Sequence, residues 1–356
     1  MEDMSERDVL EMLSEYGSLV DEAIERLAPR EIGLDYLERY YGRARYAYEP
    51  RALTMGISKP FWELLGRGGK RWRPALTILT YEALGGSHEE ILDFAALPEI
   101  IHNATLIVDD VEDGSLMRRG GPCIHRIYGV DIAINAGNAL YYIPVHIVLK
   151  RLDGVKASTL ARLYVEQMVR LSLGQTMDIA WHRGLVDEIT EEQYLQMCAF
   201  KTGSMSRLAV ELACIVAGCS DDVRSRLGDF GESIGVAFQI QDDLLNLTGD
   251  EARYGKELGG DITEGKKTIL TVYALRHLPK DDAARLREIL SMHTRERSLI
   301  SEAIELVKRS GADKYARQVS ARIVTESWSM AEKLLEPSEA RDKLAMLSKF
   351  LIERSL

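Results

Sequence analysis

Cysteine is scarce in this sequence, with four copies among 356 residues. They stand at positions 123, 198, 214 and 219, and no two of them form a C-x-x-C pair. This spacing excludes a disulfide framework and a zinc site built from paired cysteines. We therefore expect four small, mostly buried side chains in a reducing compartment.

Positive charge is also in short supply. Lysine and arginine number 45 against 56 aspartates and glutamates, which gives a net charge of −11. This balance argues against a general nucleic-acid-binding protein, although it leaves room for a local anion site. The N-terminal stretch MEDMSERDVLEML is acidic and amphipathic, the wrong charge for a signal or transit peptide, so we expect a cytoplasmic protein.

Long apolar runs and strand patterns are lacking as well. The most apolar stretch, 132–149, is interrupted by Asn135, Asn138 and His146, whereas a bilayer span needs about 20 predominantly apolar residues. We therefore expect no transmembrane segment. Apolar residues recur at helical spacing almost throughout, and no alternating run is long enough to build a sheet. The pattern predicts an all-α protein.

A dense acidic cluster follows an apolar run at residues 102–113, HNATLIVDDVED. On a helix, Asp109 and Asp113 lie one turn apart on one face and repel each other unless cations neutralise them. Carboxylate oxygens suit hard divalent ions, and Mg²⁺ usually takes one or two carboxylates plus substrate phosphates. The alternative is a solvated acidic face, but the apolar approach favours a cleft.

Two further strings favour the same chemistry. Residues 238–246, FQIQDDLLN, again present paired acids after a helix-like run. Residues 68–74, GGKRWRP, place glycines before a basic triplet, with Pro74 suited to the first turn of a helix. Cations at a helix N-terminus form an anion site. Taken alone, this string is equally typical of an exposed basic loop.

In this order the strings resemble the trans-isoprenyl diphosphate synthases, from about residue 60 to the C-terminus. The strings that carry the resemblance are GGKRWRP (68–74), DDVED (109–113), RRG (118–120), KTG (201–203), FQIQDD (238–243) and EGKKT (264–268). The resemblance implies the isoprenoid synthase fold, an all-α bundle of ten or more helices around a central cavity. It also implies a single domain over 1–356, with 1–55 as an N-terminal helical extension, and a homodimer.

The activity implied is a Mg²⁺-dependent head-to-tail condensation of isopentenyl diphosphate with an allylic diphosphate (dimethylallyl, geranyl or farnesyl). The metal ligands would be Asp109, Asp113 and Asp242, holding three Mg²⁺ ions per active site, with Mn²⁺ as a substitute. Lys201 and Gln239 complete the implied catalytic set. The second motif departs from the family, since Asn246 stands where an Asp is usual, and we expect it to act through water.

The resemblance also assigns substrate-binding residues. Those for isopentenyl diphosphate are Lys70, Arg73, His102 and Arg119. Those for the allylic substrate are Arg118, Lys201, Thr202, Gln239, Lys256 and Lys266.

Product length should follow from the residues beneath the first aspartates. Ala104 and Thr105 are small and should line the tunnel wall, with Ile101 and Tyr141 or Tyr142 as its floor. We therefore expect mainly geranylgeranyl diphosphate, with products of twenty-five carbons or more, or farnesyl diphosphate, as alternatives.

Two rival functions fit part of the sequence. A class I terpene cyclase would share the first acidic motif but would have no use for GGKRWRP or the RRG arginines. A non-catalytic subunit that modulates a synthase would usually lose one acidic motif, and both are present here.

Overall fold

The computed structural model describes residues 6–248 and 259–353, and the chain divides into two compact units. Unit 1 comprises Met1–Leu163 and Leu212–Cys219, and unit 2 comprises Tyr164–Glu211 and Ser220–Leu356. Almost all of the described chain is helical, so the prediction of an all-α protein with more than ten helices is confirmed. That residues 1–356 act as a single domain stays a prediction.

The chain first passes from unit 1 to unit 2 after Leu163. The helices that begin before this point are α1 (Glu6–Leu27), α2 (Leu34–Tyr41), α3 (Pro50–Leu53), α4 (Lys59–Leu65), α5 (Trp72–Ala83), α6 (His88–Glu112), α7 (Ile124–Tyr128), α8 (Val130–Leu149) and α9 (Gly154–His182). A π-helical turn, Thr54–Ser58, joins α3 to α4. Two-residue strands β1 (Met117–Arg118) and β2 (Gly121–Pro122) pair antiparallel after α6. The boundary falls within α9.

The remaining helices are α10 (Glu191–Cys198), α11 (Ser204–Ala217), α12 (Asp221–Thr248), α13 (Gly260–Thr263), α14 (Ile269–His277), α15 (Lys280–Ser291), α16 (Arg297–Arg309), α17 (Ala312–Ala331) and α18 (Glu339–Glu353). A second π-helical turn, Ala199–Gly203, separates α10 from α11. A 3₁₀ turn, Glu332–Leu334, follows α17. The apolar residues of α10, α12 and α14–α17 form the main core of unit 2.

Helix α1 is an integral layer of unit 1. The sequence predicts a helix ending near Pro29, and the observed helix ends at Leu27. Val20, Ile24 and Leu27 are fully buried. Their spacing of four and three residues places them on the one face of α1 that packs into the core. Arg26 forms an ion pair with Asp93 of α6 at 2.7 Å. The N-terminal extension is therefore packed into the unit rather than appended to it.

Helices α6 and α8 approach each other closely at Gly137. A Cβ atom at this position would lie 2.5 Å from Cγ2 of Val108 and 3.2 Å from the carbonyl oxygen of Ala104. Ala104 is fully buried as a result of this packing. Because Gly137 has no side chain, the segment of α6 that leads to the acidic cluster can lie directly against α8.

These two helices, α6 and α8, are also long and apolar enough to cross a bilayer by length and composition. Core helices of soluble proteins pass the same test, and here 67% of the apolar window of α6 and 44% of that of α8 are buried. The expectation that the chain has no transmembrane segment therefore stays a prediction.

Gly137→Ala should destabilise the protein by about 1–3 kcal/mol, because the added methyl group overpacks a β-branched neighbour whose rotamer is restricted. Gly154→Ala is the matched control, since a Cβ at this first residue of α9 meets no atom within 4 Å. The measurement is the free energy of unfolding in urea. Equal stabilities for the two variants would show that α8 can move away from α6 without cost.

Candidate active site

The acidic cluster lies at the C-terminal end of α6, as predicted. The Asp113 N–H donates to the Asp109 carbonyl oxygen at 2.9 Å, so the two carboxylates are one helical turn apart. The side chain of Asp109 is 19% exposed, whereas Asp110 between them is fully buried. Of the adjacent pair, Asp109 is therefore the one that can reach a ligand.

Arg118 neutralises this cluster from the short β-hairpin that follows. Its guanidinium lies 2.5 Å from Asp110 and 3.4 Å from Asp109. Burial alone would lower the pKa of Arg118, but the two carboxylates outweigh burial and raise it. Carboxylates at a helix C-terminus face the negative end of the helix dipole. Arg118 offsets that repulsion, and Asp110 holds it in place.

Three of the four basic residues predicted to bind isopentenyl diphosphate, Arg73, His102 and Arg119, come together in unit 1. His102 is partly buried, and its pKa is lowered first by burial and then by nearby arginines, Arg73, Arg119, Arg118 and Arg71. The imidazole is therefore neutral and can donate or accept one hydrogen bond. Four guanidinium groups around a neutral imidazole offer many donors to an anion, although Arg71 and Arg118 are also paired with carboxylates.

Arg119 keeps its charge available for such an anion. It donates hydrogen bonds to two neutral acceptors, the side-chain oxygen of Asn103 at 2.9 Å and the carbonyl oxygen of Leu64 at 3.3 Å. Burial lowers its pKa, and the neighbouring arginines lower it further. Its φ of 50° is in the left-handed region, which is uncommon for a residue with a side chain.

Arg71 is a site residue that the sequence did not single out. It lies between Lys70, which is partly buried, and Trp72, and its side chain is only 6% exposed. It forms ion pairs with Asp21 of α1 at 2.9 Å and with Glu99 of α6 at 3.2 Å. No local signal in GGKRWRP distinguishes this arginine from Arg73, because its partners are distant in sequence.

In unit 2, Lys201 lies in the π-helical turn Ala199–Gly203 and forms an ion pair with Asp178 at 2.6 Å. Gly174 makes this turn possible, since a Cβ there would lie 2.3 Å from the backbone nitrogen of Lys201. π-helical turns are rare and occur frequently at functional sites. Gly174 and Asp178, both on α9, thus position Lys201.

The second acidic motif is organised by a hydrogen-bond network. Gln239 accepts from the Thr202 hydroxyl at 2.8 Å and donates to Asp243 at 2.9 Å. Tyr194 donates to the other oxygen of Asp243 at 2.5 Å. Burial is the main cause that raises the pKa of Asp243. Asp243 is thus an internal acceptor, and Asp242, which is less buried, is the candidate metal ligand.

Asn246 has a role that differs from the one expected. It is 4% exposed, and its side-chain oxygen accepts from the backbone N–H of Asp261 at 3.1 Å. Its carbonyl oxygen accepts from the Gly259 N–H at 2.9 Å. Asn246 therefore anchors the start of α13, which replaces the expectation that it acts through water.

The predicted lysines after this motif are only partly described. Lys266 forms an ion pair with Glu264 at 2.5 Å. Lys256 lies outside the described residues.

The predicted product-length residues do not share one face. Five residues along a helix rotate a side chain by about 500°, so Ala104 points away from Asp109, whereas Thr105 remains within about 40° of it. Ala104 and Ile101 are fully buried, and Ala104 packs against α8. Thr105 is partly exposed. Ala104 therefore lies on a different face of α6 from Asp109, and its part in setting product length stays a prediction.

The two tyrosines of α8 differ from each other. Tyr142 is 67% exposed, so it cannot close a buried tunnel within this chain, which corrects the expectation for that residue. Tyr141 is partly buried, and its pKa is raised by burial and by the charges of Glu112 and Asp109. Tyr141 therefore lies within electrostatic reach of the acidic cluster itself, above the predicted floor.

The donor chemistry of the two motifs fits a divalent ion. In the described ranges 6–248 and 259–353, no three His, Cys, Asp or Glu side chains form a group that could hold a metal ion without further ligands. Mg²⁺ does not require such a group, since it binds through one or two carboxylates together with substrate phosphates and water. Asp109 and Asp113 in unit 1 and Asp242 in unit 2 are carboxylates of this kind.

The chain matches the polyprenyl synthetase family over residues 55–307. It is 37% identical over 291 residues to a short chain isoprenyl diphosphate synthase of Methanothermobacter thermautotrophicus, an alignment that covers 82% of this chain and 88% of that protein.

Solved structures show the same fold. The geranylgeranyl pyrophosphate synthetase of Pyrococcus horikoshii superposes with a TM-score of 0.83 at 29% identity, covering 98% of this chain and 99% of that chain. The geranylgeranyl pyrophosphate synthase of Corynebacterium glutamicum, solved with isoprenyl diphosphate and magnesium, gives a TM-score of 0.80 at 26% identity, covering 95% and 99%. The expected isoprenoid synthase fold is confirmed.

Tyr194→Phe should destabilise the protein by about 1–3 kcal/mol, because it removes a hydrogen bond from a fully buried carboxyl group. Tyr48→Phe is the control, since its hydroxyl donates to the Gly42 carbonyl at an exposed site and should cost less than about 0.5 kcal/mol. Urea unfolding measures both. Similar losses for the two variants would show that Asp243 does not depend on Tyr194.

Proposed function

Because the chain belongs to the polyprenyl synthetase family, we propose that it is a prenyltransferase that condenses isopentenyl diphosphate head to tail with an allylic diphosphate. The observation that carries this proposal is the group of buried and partly buried arginines around a neutral His102, in the same unit as a partly exposed carboxylate pair. Clustered cations bind a diphosphate, and carboxylates of this kind bind the divalent ions that accompany one. The main product is geranylgeranyl diphosphate.

Divalent metal ions are part of this proposal. Asp109, Asp113 and Asp242 would hold Mg²⁺, three ions per active site, and Mn²⁺ would substitute for it. When bound, the ions stabilise negative charge on the departing diphosphate. Arg118 and Lys201, each held by an aspartate, add preorganised positive charge that needs no rearrangement during the reaction.

The substrate assignments follow the two groups of basic residues. Lys70, Arg73, His102 and Arg119 orient isopentenyl diphosphate. The residues that bind the allylic substrate are Arg118, Lys201, Thr202, Gln239, Lys256 and Lys266. The allylic substrate is dimethylallyl, geranyl or farnesyl diphosphate, and apolar side chains keep water from the carbocation.

The two rival functions are less well supported. A terpene cyclase does not bind isopentenyl diphosphate, so it would not need the arginines gathered around His102. A non-catalytic subunit would not need two exposed carboxylates in separate motifs, and both Asp109 and Asp242 are accessible to a ligand.

We further propose a cytoplasmic homodimer with no transmembrane segment and no nucleic-acid partner. Exposed apolar side chains recur at helical spacing on α8, at Ile134 and Tyr142, and on α9, at Val165, Val169 and Leu173. Such rows are typical of a surface that a second chain covers. The net negative charge supports the absence of a nucleic-acid partner.

Asp109→Ala, Asp113→Ala and Asp242→Ala should each lower kcat roughly a thousandfold, because each removes a ligand of the ions that stabilise the leaving group. Asp281→Ala, which removes an exposed carboxylate at the start of α15, is the matched control. Incorporation of radiolabelled isopentenyl diphosphate is the measurement. Undiminished turnover in excess EDTA would refute the metal assignment.

Thr105→Phe should shorten the main product from twenty towards fifteen carbons, because an aromatic ring on the face of Asp109 would block the growing tail. Ala104→Phe is the informative comparison, since Ala104 is the second small residue predicted to line the wall, and a ring there should also shorten the product. Chromatography of the dephosphorylated products measures both. An unchanged product from Thr105→Phe would place the tunnel wall elsewhere.

A further inference from the structure

A chain of buried polar contacts in unit 1 connects α1 to Arg119. Arg71 donates through Nε to Asp21 of α1 at 2.9 Å and through Nη1 to Oε1 of Glu99 at 3.2 Å. Asn103 donates to the same Glu99 oxygen at 2.9 Å. Its own oxygen accepts from Arg119 at 2.9 Å. Each side chain along this path therefore restricts the next.

The orientation of Asn103 is fixed by its two charged neighbours. Its amide nitrogen donates to the Glu99 carboxylate and also to the Glu99 carbonyl oxygen at 2.8 Å, so its amide oxygen must face Arg119. A flipped amide would place a donor against a guanidinium and an acceptor against a carboxylate. Asn103 is fully buried, so water cannot replace either contact.

The backbone of α1 is shaped for Arg71. A Cβ at Gly17 would lie 3.4 Å from Cγ of Arg71, and Asp21, one turn later, supplies the carboxylate. The loop before α5 is fitted to the same side chains. A Cβ at Gly69 would lie 2.8 Å from Nη1 of Arg71 and 3.3 Å from Nη2 of Arg119.

We propose that Asp21 is a positioning residue that sets the place of Arg119 through Arg71, Glu99 and Asn103. The inference rests on the proposed function, in which Arg119 binds isopentenyl diphosphate. It gives the N-terminal helix a part in substrate binding that no local sequence motif indicates. Asp21 acts through its neighbours, because its carboxylate is paired with Arg71.

The test uses Asp21→Asn in the full-length enzyme, because Asp21 is 47% exposed and its neutralisation leaves the buried Arg71–Glu99 pair intact. Glu25→Gln is the matched control on the next turn of α1, where Glu25 pairs with the exposed Arg30. Asp21→Asn should raise KM for isopentenyl diphosphate roughly tenfold, as expected for losing a charged hydrogen bond. KM for the allylic substrate, kcat and the far-ultraviolet circular dichroism should stay unchanged, and Glu25→Gln should match the wild type.

A double-mutant cycle with Arg119→Ala separates positioning from general stability. If the path ends at Arg119, Asp21→Asn should add no further increase in KM when Arg119 is absent. The proposal would be overturned if Asp21→Asn raised KM for isopentenyl diphosphate a further tenfold in the Arg119→Ala background. It would also be overturned if Asp21→Asn alone raised KM equally for both substrates. Should Asp21→Asn fail to fold, Asp21→Glu is the second variant, because it keeps the charge but moves the carboxylate. It should raise KM for isopentenyl diphosphate by a smaller factor, and again only when Arg119 is present.

Calorimetric binding of isopentenyl diphosphate distinguishes the two levels of inference. A wild-type protein that binds no isopentenyl diphosphate would refute the proposed function. A wild-type protein that binds it, together with an Asp21→Asn variant that binds it equally well, would refute only the positioning role.

Discussion

Buried guanidinium groups paired with carboxylates are the interaction on which the candidate site in unit 1 depends. Arg71 with Glu99 and Arg118 with Asp110 are both shielded from solvent. Desolvating such pairs costs about as much as their attraction returns, so they are weak sources of stability. Their effect is positional: the carboxylates fix Arg71 and Arg118 within the group of arginines around His102.

The second constraint is the close approach of backbones at small residues. Gly174 lets α9 lie against the π-helical turn that carries Lys201, and Gly137 lets α8 lie against the segment of α6 below Asp109. In both places a methyl group would displace a helix that positions a functional side chain. The site residues are therefore fixed by packing of neighbouring helices as well as by their own hydrogen bonds.

The sequence allowed the helical fold and both acidic motifs to be predicted, because helical periodicity and charge patterns are local, whereas the basic residues around His102 were predicted from the family resemblance. It could not show which member of each acidic pair is accessible. Asp110 and Asp243 have the same chemistry as their neighbours, and only their burial against Arg118 and Tyr194 makes them internal partners.

The sequence by itself determined the composition of the site: carboxylates one turn apart, glycines before cations, and an apolar helix leading to the acids. The tertiary structure decided how those groups are connected. Arg71 lies 50 positions from Asp21 and 28 from Glu99, and Tyr194 lies 49 positions from Asp243. Partners this far apart carry no periodic or spacing signal, because the choice of partner is made only when helices distant along the chain pack side by side.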